Sequence, residues 1–301
     1  MTPTLGIMAS QISGHLGNVW ATKAVMTAAK DRMGAATVGT VVYVPGGVNT
    51  SSVAVATNYA YDTATDTWST KAAMTGAKYE GVVVAVGTIV YAITGFDATN
   101  VSTTTNYAYD TVANTWSTKA AITASRYQAS GAAVGTVIYV IGGRNSSNVT
   151  QDSNYAYDTV ANTWSTKAVM TAAGRLGGAA AVSTTVYYIG GRDSASATCN
   201  FNYAYNTVAN TWSSKTVLPT ATEGQIVVAS GTLIFSIGGY DTGYTDANRC
   251  YDTVANTWST KAVMPAARYQ GGGAIVSGYI YFIGGTNSGG TAQTSNYQYK
   301  V

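Results

Sequence analysis

Short apolar runs punctuated by glycine recur along the whole chain. One of them, Val137 to Ile141, mixes branched and aromatic residues and stops at Gly142-Gly143. A run of small residues, Gly131 to Val134, precedes it across a Gly-Thr turn. Downstream come Asn154 to Tyr157, a turn from Asp158 to Asn162, and a last segment from Thr163 to Lys167. β-branched and aromatic runs of this length, bounded by Gly, Asn and Asp, predict strands. No stretch repeats with the helical period. The pattern therefore predicts four short strands joined by turns.

That unit returns along the chain. Trp stands at 20, 68, 116, 164, 212 and 258, in steps of 48, 48, 48, 48 and 46 residues. Glycine pairs at Gly46, Gly142, Gly190, Gly238 and Gly284 hold the same register, and Thr94-Gly95 fills the missing place. A Tyr-x-Tyr-Asp block recurs at Tyr59, Tyr107 and Tyr155, with variants at Tyr203 and Arg249. Six copies of one supersecondary unit account for nearly the whole chain. Radially arranged sheets crowd near their axis, so the Ala- and Gly-rich first strand belongs innermost. Tyr and Trp of the third and fourth strands supply the bulk needed outside. A Lys three residues after each Trp, from Lys23 to Lys261, protects the open outer edge.

The apolar strand with its glycine pair, then Tyr, then Trp at fixed offsets, resembles the kelch repeat over about residues 18 to 299. The basic residue that precedes the first strand in that motif is present as Lys30, Lys78, Arg126 and Arg268, but not at Gly174 or Thr222. The propeller family with Gly-His and Trp-Asp signatures fits poorly, because Ser or Ala follows every Trp. The resemblance implies an all-β, six-bladed propeller with four antiparallel strands per blade. The units fall at about 26–72, 74–120, 122–168, 170–216, 218–262 and 264–301, the last completed by 18–25. Asn18 to Lys23 reads as a lone fourth strand and Asn296 to Tyr299 as a lone third strand. Their pairing would close the ring within a single domain of residues 18–301. Residues 1–17 fall outside the repeat and are expected to be a leader or connector. They resemble leader segments of phage and bacterial surface proteins, which points to an extracellular or virion-surface setting.

Composition narrows the chemistry. Charged residues are only 10% of the chain, and the formal net charge is +3. That lacks the clustered basic footprint of a nucleic-acid binder. The longest apolar stretch, Val82 to Ile93, is broken by Gly87 and is too short to span a membrane. Cys199 and Cys250 occupy different places in their units and are expected to be free thiols. With His15 the only histidine, neither a Ser-His-Asp triad nor a His-rich metal site can be assembled. No metal and no cofactor are expected.

Residues that break a repeat carry its individuality. One variable set follows each glycine pair: Val48, Phe96, Arg144, Arg192, Tyr240 and Thr286. A second precedes the innermost strand and includes Arg32, Glu80, Tyr127, Arg175, Glu223 and Tyr269. The strand order puts both sets on one face, around the mouth of the central channel. In kelch proteins this face commonly binds peptides or other ligands, and residues just after the glycine pair take part. Arg144 and Arg192, in adjacent blades, could hold a carboxylate or another anion. Phe96 and Tyr240 offer flat faces for sugar rings or aromatic side chains. Arg32 and Glu80 complete the expected ligand-binding set. Asp97, Asp193 and Asp241 read first as turn residues bonding their own backbone. The function expected is non-catalytic recognition of a peptide or glycan by a monomer. Two alternatives stay open: a sugar-modifying enzyme of the kelch sialic-acid mutarotase type, and a ligand-free scaffold of natural or designed origin.

Overall fold

Small side chains let the first strand of every unit crowd around one axis. The computed structural model describes residues 18–301, so the leader or connector expected at 1–17 lies outside the described residues. Six antiparallel sheets of four strands surround the axis. The innermost strands, such as Ser130–Val134 and Gly178–Val182, line a channel of about 390 Å³ walled mainly by alanine, glycine and valine. This is the closed six-bladed propeller that the repeats predict. The second strand of a blade is buried on both faces, because blades cover it from either side. Along Val137–Ile141, Ile138 and Val140 pack with Tyr91 and Ile93, whereas Tyr139 and Ile141 pack with Val186 and Tyr188. The period-two alternation of a strand thus serves two neighbouring interfaces.

The sixth blade shows how the ring closes. Its inner three strands are Gly272–Val276, Tyr279–Ile283 and Asn296–Lys300, and its outer strand is Trp20–Thr22. Trp20 lies opposite Tyr299 and Thr22 opposite Tyr297. The two ends of the chain therefore complete one sheet.

One clasp joins every blade to the blade before it. The indole Nε1 of Trp164 donates to the carbonyl of Ala120 at 2.8 Å. Asn162, two residues earlier, accepts the amide of the same Ala120 at 2.9 Å and the hydroxyl of Tyr157 at 2.7 Å. Both backbone groups of one residue are thus held by the next blade. The arrangement recurs around the ring, at the seam as well: Trp20 donates to the Ala262 carbonyl, while Asn18 accepts the Ala262 amide and the Tyr299 hydroxyl. Asn162 holds a left-handed φ of 55°, a conformation that asparagine tolerates better than most residues. Only the first blade departs, placing Asp66 there, and Lys23 pairs with that carboxylate at 3.4 Å. Inside the clasp, the third-strand tyrosine touches its own Trp and the second-strand aromatic of the preceding blade, as in Tyr61 with Trp68 and Tyr281.

A glycine pair ends the second strand for a steric reason. At Gly142 (φ 64°) a Cβ would stand 2.3 Å from the carbonyl oxygen of Gly174. Thr94 holds the corresponding place with φ 60°, fully buried and with its hydroxyl unpartnered. Strain and desolvation together exceed what the Thr methyl gains by packing.

Two outcomes follow from these contacts. Asn18→Ala and Asn162→Ala should each cost about 2 kcal/mol in denaturant unfolding, since each removes a hydrogen bond from a backbone amide and one from a tyrosine hydroxyl. Equal losses at the seam and inside the ring are expected; a negligible loss at Asn18 would show an open seam. Thr94→Gly should raise stability by about 1 kcal/mol, and a lower melting temperature would refute the strain argument.

Candidate functional site

The channel mouth is built on a circle of backbone. Arg32, Glu80, Gln128, Leu176, Gly224 and Gln270 occupy one equivalent position in the six blades. Each takes a left-handed φ, between 50° and 62°. The amide of each donates to the carbonyl of its counterpart in the preceding blade: Glu80 to Arg32 at 2.9 Å, Gln128 to Glu80 at 2.8 Å, Leu176 to Gln128 at 3.0 Å. Gly224, Gln270 and Arg32 continue the series, and the bond from Arg32 to Gln270 completes it. Five of the six positions are not glycine, so this strain is held in place by the closed circuit.

A second circle surrounds the first. The residue before each ring member bridges the residue after the glycine pair, as Tyr79 with Phe96, Tyr127 with Arg144, Arg175 with Arg192, and Glu223 with Tyr240. These bridges draw the two variable sets into contact on one face. All six residues expected to bind ligand lie there: Arg32 and Glu80 on the inner ring, Phe96, Arg144, Arg192 and Tyr240 on the outer one.

Side chains divide the outer circle into sectors. Tyr79, Phe96 and Tyr127 form an aromatic row, with ring centroids 5.1 and 4.2 Å apart. Phe96 is half-buried and already packs against two tyrosine rings, which leaves less of it open to a ligand. Arg144, Arg175 and Arg192 make a cationic sector beside this row. Arg175 is buried, and burial followed by the charges of Arg144 and Arg192 lowers its pKa. Next come Tyr240, Tyr244 and Tyr269, packed edge to face at 5.7 to 6.4 Å.

Glu223 ties the last two sectors together. It is buried, forms an ion pair with Arg192 and accepts the Tyr269 hydroxyl at 3.3 Å. Arg192 is therefore already matched within the protein, whereas the sequence suggested a free partner for Arg144. Arg175 is the neighbour with that capacity. It sat in the variable set, and three arginines in adjacent blades were the signal. Tyr269 lies against Gly224, where a Cβ would meet its ring at 2.1 Å, so the one ring glycine makes room for that aromatic.

At the axis, Glu80 accepts the side-chain amides of Gln128 at 3.0 Å and Gln270 at 3.3 Å. These three side chains help line a cavity of about 110 Å³ at the mouth. Burial pushes the Glu80 carboxyl above its ordinary range, against the opposing pull of the Gln270 amide and the Arg32 charge. The recurrent acids after the glycine pairs serve their own turns: Asp97 accepts the amides of Thr99 and Val101, and Asp193 that of Ala197. Both cysteines are free. Among the described residues no group of three or more His, Cys, Asp or Glu could hold a metal ion. Among them, too, no helix is long and apolar enough to cross a membrane.

The basic residues before the first strand are spent on structure. Lys30 is buried, with its ammonium on the carbonyls of Val44, Gly46 and Thr57, and burial pulls its pKa down to about 7. The two blades lacking this residue are repaired differently. Buried Tyr188 fills the space beside Gly174, where a Cβ would meet its hydroxyl at 2.8 Å. In the next blade Arg249 supplies the guanidinium from the third strand, bonding Thr222 at 3.3 Å and pairing with Asp241 at 3.6 Å.

Comparison with known proteins agrees with this architecture. The family model described as KLHDC2/KLHL20/DRC7 Kelch-repeats domain matches residues 128–300, more than half of the chain. The Kelch motif matches residues 31–75 and 78–120. Among curated protein sequences, none matches the chain. The solved structure titled "Structure of YjhT" superposes with a TM-score of 0.81, covering 92% of this chain and 96% of that one at 13% identity. At that identity the likeness concerns the fold alone.

The Glu80 carboxyl yields a pH dependence. Its folded-state pKa lies above the unfolded value near 4.5, so its contribution is present below that pH and is lost as the carboxyl ionises above it. Glu80→Gln cannot ionise. It should be more stable than the parent at pH 7, with the gap closing towards pH 4 in thermal melts. A variant less stable than the parent at pH 7 would contradict this.

Proposed function

We propose a non-catalytic binding role for this protein, starting from the fact that the chain belongs to the kelch-repeat family. The ligand is a peptide or glycan bearing an acidic group, taken up at the channel-mouth face. One observation carries this reading. A scaffold that repeats almost identically elsewhere gathers its unlike side chains on one face, in an aromatic, a cationic and a second aromatic sector. Guanidiniums supply directional donors to an acidic group, and the flanking tyrosines supply flat apolar contact with polar tips.

The state of the two glutamates favours binding over acid–base catalysis. Glu223 is engaged by Arg192 and Tyr269, and Glu80 by two glutamine amides. Neither carboxylate stands free beside a deep pocket, as a sugar-modifying enzyme would require. The opposite alternative, a scaffold without ligand, gives no account of three arginines sharing one sector.

A glycan and peptide array probed with the full chain tests the proposal. Acidic ligands should be retained, and Arg144→Ala should weaken their binding at least tenfold at unchanged thermal stability. Retention of the same ligands by parent and variant alike would exclude the arginine sector. Turnover of a bound sugar would exclude the non-catalytic reading.

A further inference from the structure

We infer that Arg144 and Arg175 form a receptor for a doubly charged tetrahedral oxyanion, a phosphate or sulfate monoester. This rests on the reading of the channel-mouth face as a site for acidic ligands and specifies which acid it takes.

Three guanidiniums share the sector, and one carboxylate reaches them. Glu223 has one oxygen on Arg192 and the other on the Tyr269 hydroxyl, so both are committed. Among the described residues no carboxylate lies within 4 Å of Arg144 or Arg175. Asp193, the closest acid in sequence to Arg192, turns a carboxylate oxygen to the Ala197 amide. Two positive charges are left over.

Geometry and burial say the same. Arg175 is 4% exposed, and among the described residues its one side-chain partner is the hydroxyl of Ser196, at 3.0 Å. The Nε atoms of both Arg144 and Arg175 are buried and find no hydrogen-bond partner among the described residues. Leaving buried cationic donors unmatched is costly, and the fold shows how readily it meets such needs elsewhere, as with Arg249 and Asp241. Arg144 is bridged to Tyr127, and Leu176, next to Arg175, is bonded to Gln128, next to Tyr127, so the two arginines stand side by side in neighbouring blades where an external anion can be shared between them. A carboxylate would cancel one of the two charges. A dianion cancels both, and its tetrahedral oxygens can meet two guanidinium forks at once. Buried Tyr127 is bridged by its backbone to Arg144 and donates its hydroxyl to Asn148, so it does not compete for the anion.

Calorimetric titration of the full chain at constant ionic strength tests this, with phenyl phosphate, inorganic sulfate and acetate as probes. Phenyl phosphate and sulfate should bind at least tenfold more tightly than acetate. Phenyl phosphate affinity should rise from pH 5 to pH 7, as its second proton, with a pKa of about 6, is lost. Sulfate affinity should stay flat over that range. Arg144→Ala and Arg175→Met should each weaken both dianions at least tenfold. If Arg175→Met fails to fold, Arg144→Ala decides alone. Acetate binding as tightly as phenyl phosphate would overturn this inference while leaving the acidic-ligand reading intact. Parental affinity for the dianions in a folded variant would overturn it too. Failure of all three anions to bind would overturn the acidic-ligand reading along with it.

Discussion

Everything in this molecule hangs on a circle of six backbone hydrogen bonds around the axis. Each ring residue donates to its counterpart in the blade before it, and the last bond, from Arg32 to Gln270, returns to the start. A linear array would leave a terminal donor and a terminal acceptor exposed. Closure removes both, and it demands that every blade turn by the same amount. The left-handed backbone at all six positions is the conformational cost of that requirement. Further out, the Trp and Asn clasp repeats the constraint at larger radius, so each blade is fixed to the last at two distances from the axis.

Because the circle uses backbone alone, it places almost no demand on side chains. An arginine, a glutamate, two glutamines, a leucine and a glycine occupy the same position. The same freedom holds one step outward, where the bridges between the two variable sets are again made by backbone. Variation is thereby confined to a face whose geometry is fixed independently of it. The strands between the blades have no such freedom. There Tyr, Trp and Asn recur because each side chain fills a gap or bonds a neighbour.

The fold was legible in the sequence because its determinants are periodic. A Trp every 48 residues and a glycine pair in step with it report the blade, and the unmatched strands at 18–23 and 296–299 report the seam. The face was legible for the same reason, since strand order alone decides which loops share it. What stayed hidden were contacts between blades that no spacing encodes. Arg192 looked free until buried Glu223 of the next blade proved to hold it. Nor does any spacing show that Phe96 packs against the rings of both Tyr79 and Tyr127. No spacing shows what replaces the basic residues missing at 174 and 222. Tyr188 and Arg249 repair them from other strands, by volume in one case and by charge in the other.

The primacy of the inner circle can be measured by native-state hydrogen exchange. The amides of Arg32, Glu80, Gln128, Leu176, Gly224 and Gln270 should share one high protection factor and exchange only through global unfolding. Their common value should hold at the bond that joins the first blade to the sixth. Faster exchange at Arg32, whose amide makes the closing bond, than at Gln128 would show a ring that opens at its joint, and the account of a uniformly closed circle would fail.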